Sequence, residues 1–397
     1  MTSILTSWKV RVALACVAGS AAVAVGFFLW QGPTSVEAAA EEALAACKGE
    51  QDKEACYEKA IAPLYPELSV GQIFEVIRIV RAQDRGYQFC HLLAHQLGEE
   101  AVAENPDKWT DVVPLNPTDG MCSNGFIHGA VIGRFRDDTL EGEKLARALD
   151  DFSMACEARG DWHPTELDRA ICYHGLGHLY TFITDAKLQE AAEICEKTTV
   201  HGDRDYRRVC REGVFMQIYQ PVEPDDFDLI ELLPEKPTKE NYRRLCSVYQ
   251  RPEERGACMR EAWPLFRAEI FEKNDAGFFC KGQPNKEEED ACYDALTSII
   301  GRLSLNSPEK LQQTCLGLPL ARQEMCFSRA ALATLEEDRN AVGEALATCS
   351  AAPKEVANAC VRFLAQRAQF IFGNSTARSQ FCEALPREVQ QACRNAQ

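Results

Sequence analysis

Two histidines four residues apart follow a cysteine in CHLLAHQLGEE, and a second such pair, His174 and His178, stands in ICYHGLGHLY at 171–180. Positions i and i+4 of a helix share a face, so each spacing brings two imidazoles together. Six of the seven histidines fall between 91 and 178, and five of them, His91, His95, His128, His174 and His178, follow a cysteine within six residues. Neutral imidazole is a ligand for zinc, copper, nickel or iron, so this concentration points to transition-metal chemistry.

A common register strengthens that reading. Three segments, CSNGFIHGAV, CYHGLGHLYT and CREGVFMQIY, carry glycine three positions after the cysteine, at Gly125, Gly175 and Gly213. Six positions after it come His128, His178 and Met216, so a thioether occupies the place that imidazoles hold in its siblings. A thioether in the set would favour copper. Glu99, Glu100 and Glu212 lie close enough in sequence to orient the imidazoles or to add a carboxylate ligand. Glycine inside a helix costs about 1 kcal/mol relative to alanine, so its recurrence implies a backbone that a ligand or a neighbouring helix approaches closely. Packing alone, with imidazoles filling the gaps, is the competing explanation. The metalloprotease motif is excluded, because neither pair has glutamate directly after its first histidine. His163 and His201 fall in inter-helix loops and receive no role.

The cysteines show which elements must position these side chains. With Cys16 set aside, eighteen of the nineteen remain. The C-terminal half holds them as Cys246 and Cys258, Cys280 and Cys292, Cys315 and Cys326, Cys349 and Cys360, Cys382 and Cys393. Members of a pair are 11 or 12 residues apart, and successive pairs repeat every 33 to 35. Pro284, Pro319, Pro353 and Pro386 each stand four residues after a first cysteine, where proline ends one helix and opens the next. The intervening stretches carry apolar residues at three- and four-residue intervals, the helical pattern. The N-terminal half repeats the scheme with longer connections: Cys47 and Cys56, Cys90 and Cys122, Cys156 and Cys172, Cys195 and Cys210. A bridge within each pair would staple a helical hairpin. Closing a loop of about 11 residues stabilises by roughly 3 kcal/mol in the chain-entropy picture. Eighteen cysteines allow many pairings, and those before the histidines could themselves bind metal. Their place in the same scheme as the histidine-free units favours bridges.

A period near 34 with two helices per unit resembles the tetratricopeptide and related helical-repeat families. The resemblance covers residues 40–397 in length and helix count but not in signature residues, so it implies architecture alone. The expected fold is all-α: a right-handed solenoid of disulfide-stapled helix-turn-helix repeats behind one transmembrane helix.

The chain divides into a short cytoplasmic N-terminus at 1–11, an apolar anchor at 12–30, a linker at 31–45, histidine-bearing repeats at 46–219, an acidic proline-containing connection at 220–240 and cysteine-paired repeats at 241–397. Lys9 and Arg11 precede the apolar stretch, which places the N-terminus inside the cell. A cleaved signal peptide ending near Ala38-Ala39-Ala40 is the rival reading. So many cysteines without paired CxxC motifs place the bulk of the chain in an oxidising periplasmic or extracellular compartment. A net charge of −17 without a basic patch excludes nucleic acid as a partner.

Three function classes follow. The first is a membrane-anchored extracytoplasmic protein whose histidines bind zinc, copper or iron, or a small ligand. The second is a scaffold whose concave solenoid face holds a protein partner at the membrane. The third is a metal-dependent enzyme using the same cluster, placed last because no nucleophile motif or phosphate loop accompanies it.

Overall fold

Side-chain caps set where many of the helices begin. The Ser69 and Gln72 side chains form a reciprocal capping box, as do Thr165 and Asp168, each satisfying amide groups that a helix start otherwise leaves unpaired. Pro319, Pro353 and Pro386 are themselves the N-cap residues of three helices, and Pro284 stands one residue before the N-cap Asn285 of a fourth.

The structure, a computed structural model, describes residues 35–396 apart from 85, 88, 136–139, 141, 222, 223, 274, 305 and 306. The apolar stretch at 12–30 lies outside the described residues. Among those described, no helix is long and apolar enough to cross a membrane.

The chain is all-α, with 23 α-helices among the described residues and one two-stranded antiparallel sheet, Val200–His201 against Arg204–Asp205. It separates into two compact units, residues 1–88 and 89–397. Helices of eight residues or more are numbered here in chain order.

The first unit contains α1 (Val36–Ala46), α2 (Lys53–Ile61) and α3 (Val70–Gln83). The stretch read as a linker thus ends in a helix, and Ala39 and Ala40 are buried. Cys47 is bridged to Cys56. Asp84 receives the Tyr57 hydroxyl at 2.7 Å and pairs with Lys53 at 2.9 Å, which fixes the end of α3 against α2.

The second unit begins with α4 (His91–Ala103), α5 (Gly125–Phe135), α6 (Gly142–Ala155), α7 (Glu166–Ile183), α8 (Leu188–Thr198), α9 (Arg207–Tyr219) and α10 (Pro224–Glu231). It continues with α11 (Pro252–Glu261), α12 (Lys286–Leu303), α13 (Pro308–Gly317), α14 (Leu320–Glu337), α15 (Val342–Ser350), α16 (Lys354–Gln366), α17 (Thr376–Ala384) and α18 (Arg387–Asn395). One row of helices packs in chain order: α4 on α5, α5 on α7, α7 on α9, α9 on α11, α11 on α12, α12 on α14, α14 on α16 and α16 on α18.

Each member of that row carries a bridged cysteine within it or just before its start, Cys90 and Cys122 standing before α4 and α5. The nine bridges join Cys47 to Cys56, Cys90 to Cys122, Cys156 to Cys172, Cys195 to Cys210, Cys246 to Cys258, Cys280 to Cys292, Cys315 to Cys326, Cys349 to Cys360 and Cys382 to Cys393. Their Cα atoms are 4.9 to 5.9 Å apart, within the ordinary disulfide range. In the second unit every half-cystine from Cys156 to Cys393 belongs to a contiguous apolar core with Phe152, Tyr180, Phe215, Phe327 and Phe381. Nine bridges place the folded chain in an oxidising, extracytoplasmic setting.

Candidate metal centre

Glycine brings the histidine-bearing helices together. A Cβ at Gly129 would overlap the His95 carbonyl, and one at Gly213 would overlap the His174 carbonyl. Backbone therefore packs on backbone at the crossings of α4 with α5 and of α7 with α9, so the neighbouring helix is what approaches these glycines. Between them, a Cβ at Gly175 would come within 2.8 Å of the His128 ring. The close approach and the cluster have one cause: removing Cβ atoms at the crossings draws the next side chains along, the imidazoles, into reach of one another.

His128 is the hub. Its ring centre lies 5.2 Å from that of His91, 5.7 Å from His174 and 5.6 Å from His178. His174 and His178 are 4.9 Å apart, and His91 and His95 are 6.3 Å apart. Given metal–nitrogen bonds of about 2 Å, imidazoles sharing one tetrahedral ion hold their ring centres about 5 Å apart. His95 and His128 are buried, whereas His91, His174, His178 and Met216 are half-buried, which leaves the row accessible from one side.

Each ring has one nitrogen engaged with a protein acceptor. His91 Nδ1 lies 3.2 Å from the Cys122 carbonyl, His128 Nε2 lies 3.2 Å from that of Ile171, and His174 Nδ1 lies 3.0 Å from that of Val209. A carbonyl can only accept, so these nitrogens carry the hydrogen, and in the neutral ring the other nitrogen carries the lone pair. His178 reaches the same condition through a relay. Gln217 donates its amide NH2 to Asp226, turning its Oε1 toward His178 Nδ1 at 2.6 Å. His95 Nδ1 stands 3.0 Å from Glu99 Oε1, one helical turn along. Imidazoles that bind metals are oriented in this way by partners beyond the ligand shell.

The acceptor for His91 depends on an uncommon backbone. Cys122, Ser123 and Asn124 have φ of 58°, 51° and 55°, three consecutive non-glycine residues in the left-handed region. That conformation costs roughly 1–2 kcal/mol per residue. Three contacts hold it: the Cys90 disulfide, a hydrogen bond from Ser123 to Glu337, and one of 2.6 Å from Asn116 to the buried Asn124 amide.

Electrostatics keep the hub uncharged. Burial pushes the His128 imidazole well below its ordinary range, and the neighbouring His91, His178, His174 and His95 add to the effect. The neutral ring is the form that ligates metal.

Family models, curated proteins and solved structures offer no match to this chain.

The remaining candidates are placed as follows. Met216 Sδ is 3.3 Å from His174 Nε2. Glu100 accepts from Gln96 at 2.8 Å, and Glu212 pairs with Arg260 at 2.7 Å. His201 stacks on Tyr173 and hydrogen-bonds the Thr198 carbonyl. His163 lines a cleft of about 1060 Å³ with Asp119, Asp168 and Arg339. Among the described residues, no three His, Cys, Asp or Glu side chains converge on one point as they stand. The rings form adjoining pairs around His128. Sequence reasoning missed Gln217 and Asp226. An Asp two residues after a proline in an acidic connection carries no sign that it orients an imidazole.

Proposed function

We propose that the protein binds a transition-metal ion through His91, His95, His128, His174 and His178, in an extracytoplasmic solenoid tethered by residues 12–30. The supporting observation is the shared orientation of the rings. Three backbone carbonyls, one amide relay and one carboxylate each engage a ring nitrogen, which directs the opposite nitrogen's lone pair to ligand duty. Packing alone asks only that polar atoms be satisfied, and does not ask four imidazoles to gather around a fifth. A third donor for either adjoining pair requires rotation about the histidine side-chain torsions. The row of stapled helices is then the rigid support, and the half-buried rings are the entry.

The reading places the protein among carriers, stores or sensors of metal. The test is elemental analysis of the purified chain after exposure to zinc, copper, nickel and iron salts, with His174→Ala/His178→Ala alongside. Near-stoichiometric metal in the native chain, falling at least tenfold in affinity in the variant, is expected. A native chain that retains no metal after desalting overturns the proposal.

A further inference from the structure

We infer that the site takes a soft monovalent cation of the copper(I) class, and that the Met216 thioether is one of its ligands. The inference rests on the metal-binding reading above and deepens it.

The geometry of one pair carries it. His174 Nδ1 donates to the Val209 carbonyl at 3.0 Å, so in the neutral ring Nε2 holds a lone pair. That nitrogen faces Met216 Sδ at 3.3 Å, and a thioether sulfur also offers only lone pairs. Two acceptors aimed at each other are an arrangement that a cation between them resolves. An ion about 2.0 Å from nitrogen and about 2.3 Å from sulfur, with an angle near 100°, sets those donors about 3.3 Å apart. The pair is therefore already at the separation a shared ion requires.

Ligand chemistry then selects the ion. Thioether sulfur is a soft donor that favours copper(I), while hard cations and zinc draw little from it. An angle near 100° is that of a four-coordinate ion, a geometry copper(I) also accepts, and the neighbouring imidazoles around His128 are the source of the remaining donors. Glu212, one turn before Met216 on α9, is paired with Arg260. A site with a neutral nitrogen and a neutral sulfur retains the charge of the cation it binds, which favours a monovalent ion over a divalent one in a half-buried place. Met216 also occupies the position that His128 and His178 hold in the neighbouring units, so the substitution of sulfur for nitrogen falls at the end of the histidine row.

The test uses the full chain under anaerobic conditions, with silver(I) as a redox-silent probe, copper(I) supplied as a labile complex, and zinc(II) for comparison. Affinities are taken by chelator competition, and the coordination shell by X-ray absorption, for the native chain and Met216→Leu. A sulfur neighbour in the silver and copper shells, lost in Met216→Leu together with at least tenfold in copper(I) affinity, and zinc affinity unchanged, is the expected result. Unaltered copper(I) affinity in Met216→Leu, or a native shell without sulfur, overturns the inference. Zinc or nickel bound through the histidines in that same protein leaves the metal-binding reading intact, whereas a native chain that binds no ion removes both. If Met216→Leu fails to fold, selenomethionine-labelled native protein decides instead, through the presence or absence of copper or silver beside selenium.

Discussion

At the scale of single residues, the outward register of each imidazole is set by what sits behind it. Gln217 illustrates this: Asp226 fixes its amide, and the amide fixes His178. Asp226→Ala frees that amide to turn over. Metal affinity is expected to fall several-fold, with His178 showing a mixture of ring tautomers by nitrogen-15 NMR; an unchanged single tautomer would refute the relay. A second buried group lies further along the row. Glu261 accepts from Gln220 at 2.7 Å, and burial, helped by the Glu212 charge, pushes its carboxyl up to about 8 while Arg260 opposes the shift. A folded-state pKa above the unfolded one means that the native chain holds the extra proton. The stabilisation is therefore complete below about pH 4.5 and is lost as pH rises through about 8. Glu261→Gln should flatten the decline in unfolding temperature between pH 6 and 9, as followed by circular dichroism. Parallel profiles for the two proteins would show that Glu261 is ionised throughout.

At the scale of elements, the stapled hairpins were legible because their chemistry is local. Cysteines 9 to 16 residues apart mark eight of the nine bridges, and the prolines at 319, 353 and 386 mark helix starts. The ninth, Cys90 to Cys122, spans 32 residues because an insertion separates the two helices, yet the shared register still pairs them. The sequence does not announce the left-handed turn at 122–124, since Cys-Ser-Asn has no glycine to signal positive φ. Nor could it decide whether glycines at helix crossings face a ligand or another helix. They face the helix, and the crossing carries the histidines with it. Gly129→Ala would drive a Cβ into the His95 carbonyl. A loss of about 1–3 kcal/mol, typical of overpacking, is expected by denaturant unfolding, together with weaker metal binding than in Gly343→Ala, where a Cβ meets open space. Equal metal binding in the two variants would separate the glycine crossings from the site.

At the scale of the whole second unit, the row of helices returns on itself. The Arg339 backbone amide donates to the Asp119 carbonyl at 3.0 Å, its guanidinium binds Asp168 and the Thr118 carbonyl, and Asn340 reaches Asp119 at 3.0 Å. With the Ser123 bond to Glu337, these contacts tie the end of α14 to the turn that presents the Cys122 carbonyl to His91. Partners more than 170 residues apart leave no trace in a 34-residue period, which describes only neighbours. Arg339→Ala strands a largely buried carboxylate at Asp168 and should cost roughly 3 kcal/mol. Amide hydrogen exchange should quicken across 118–124 and remain unchanged in α17 and α18; uniform quickening would indicate general loosening instead.

The central claim is that these imidazoles gather around an ion. Anomalous difference density from a crystal of the metal-loaded chain, collected on both sides of the metal's absorption edge, tests it most directly. A peak within bonding distance of ring nitrogens from at least two of His91, His128, His174 and His178 is the expected result. Metal located only at surface carboxylates, with the five rings as arranged here and no peak among them, would contradict it.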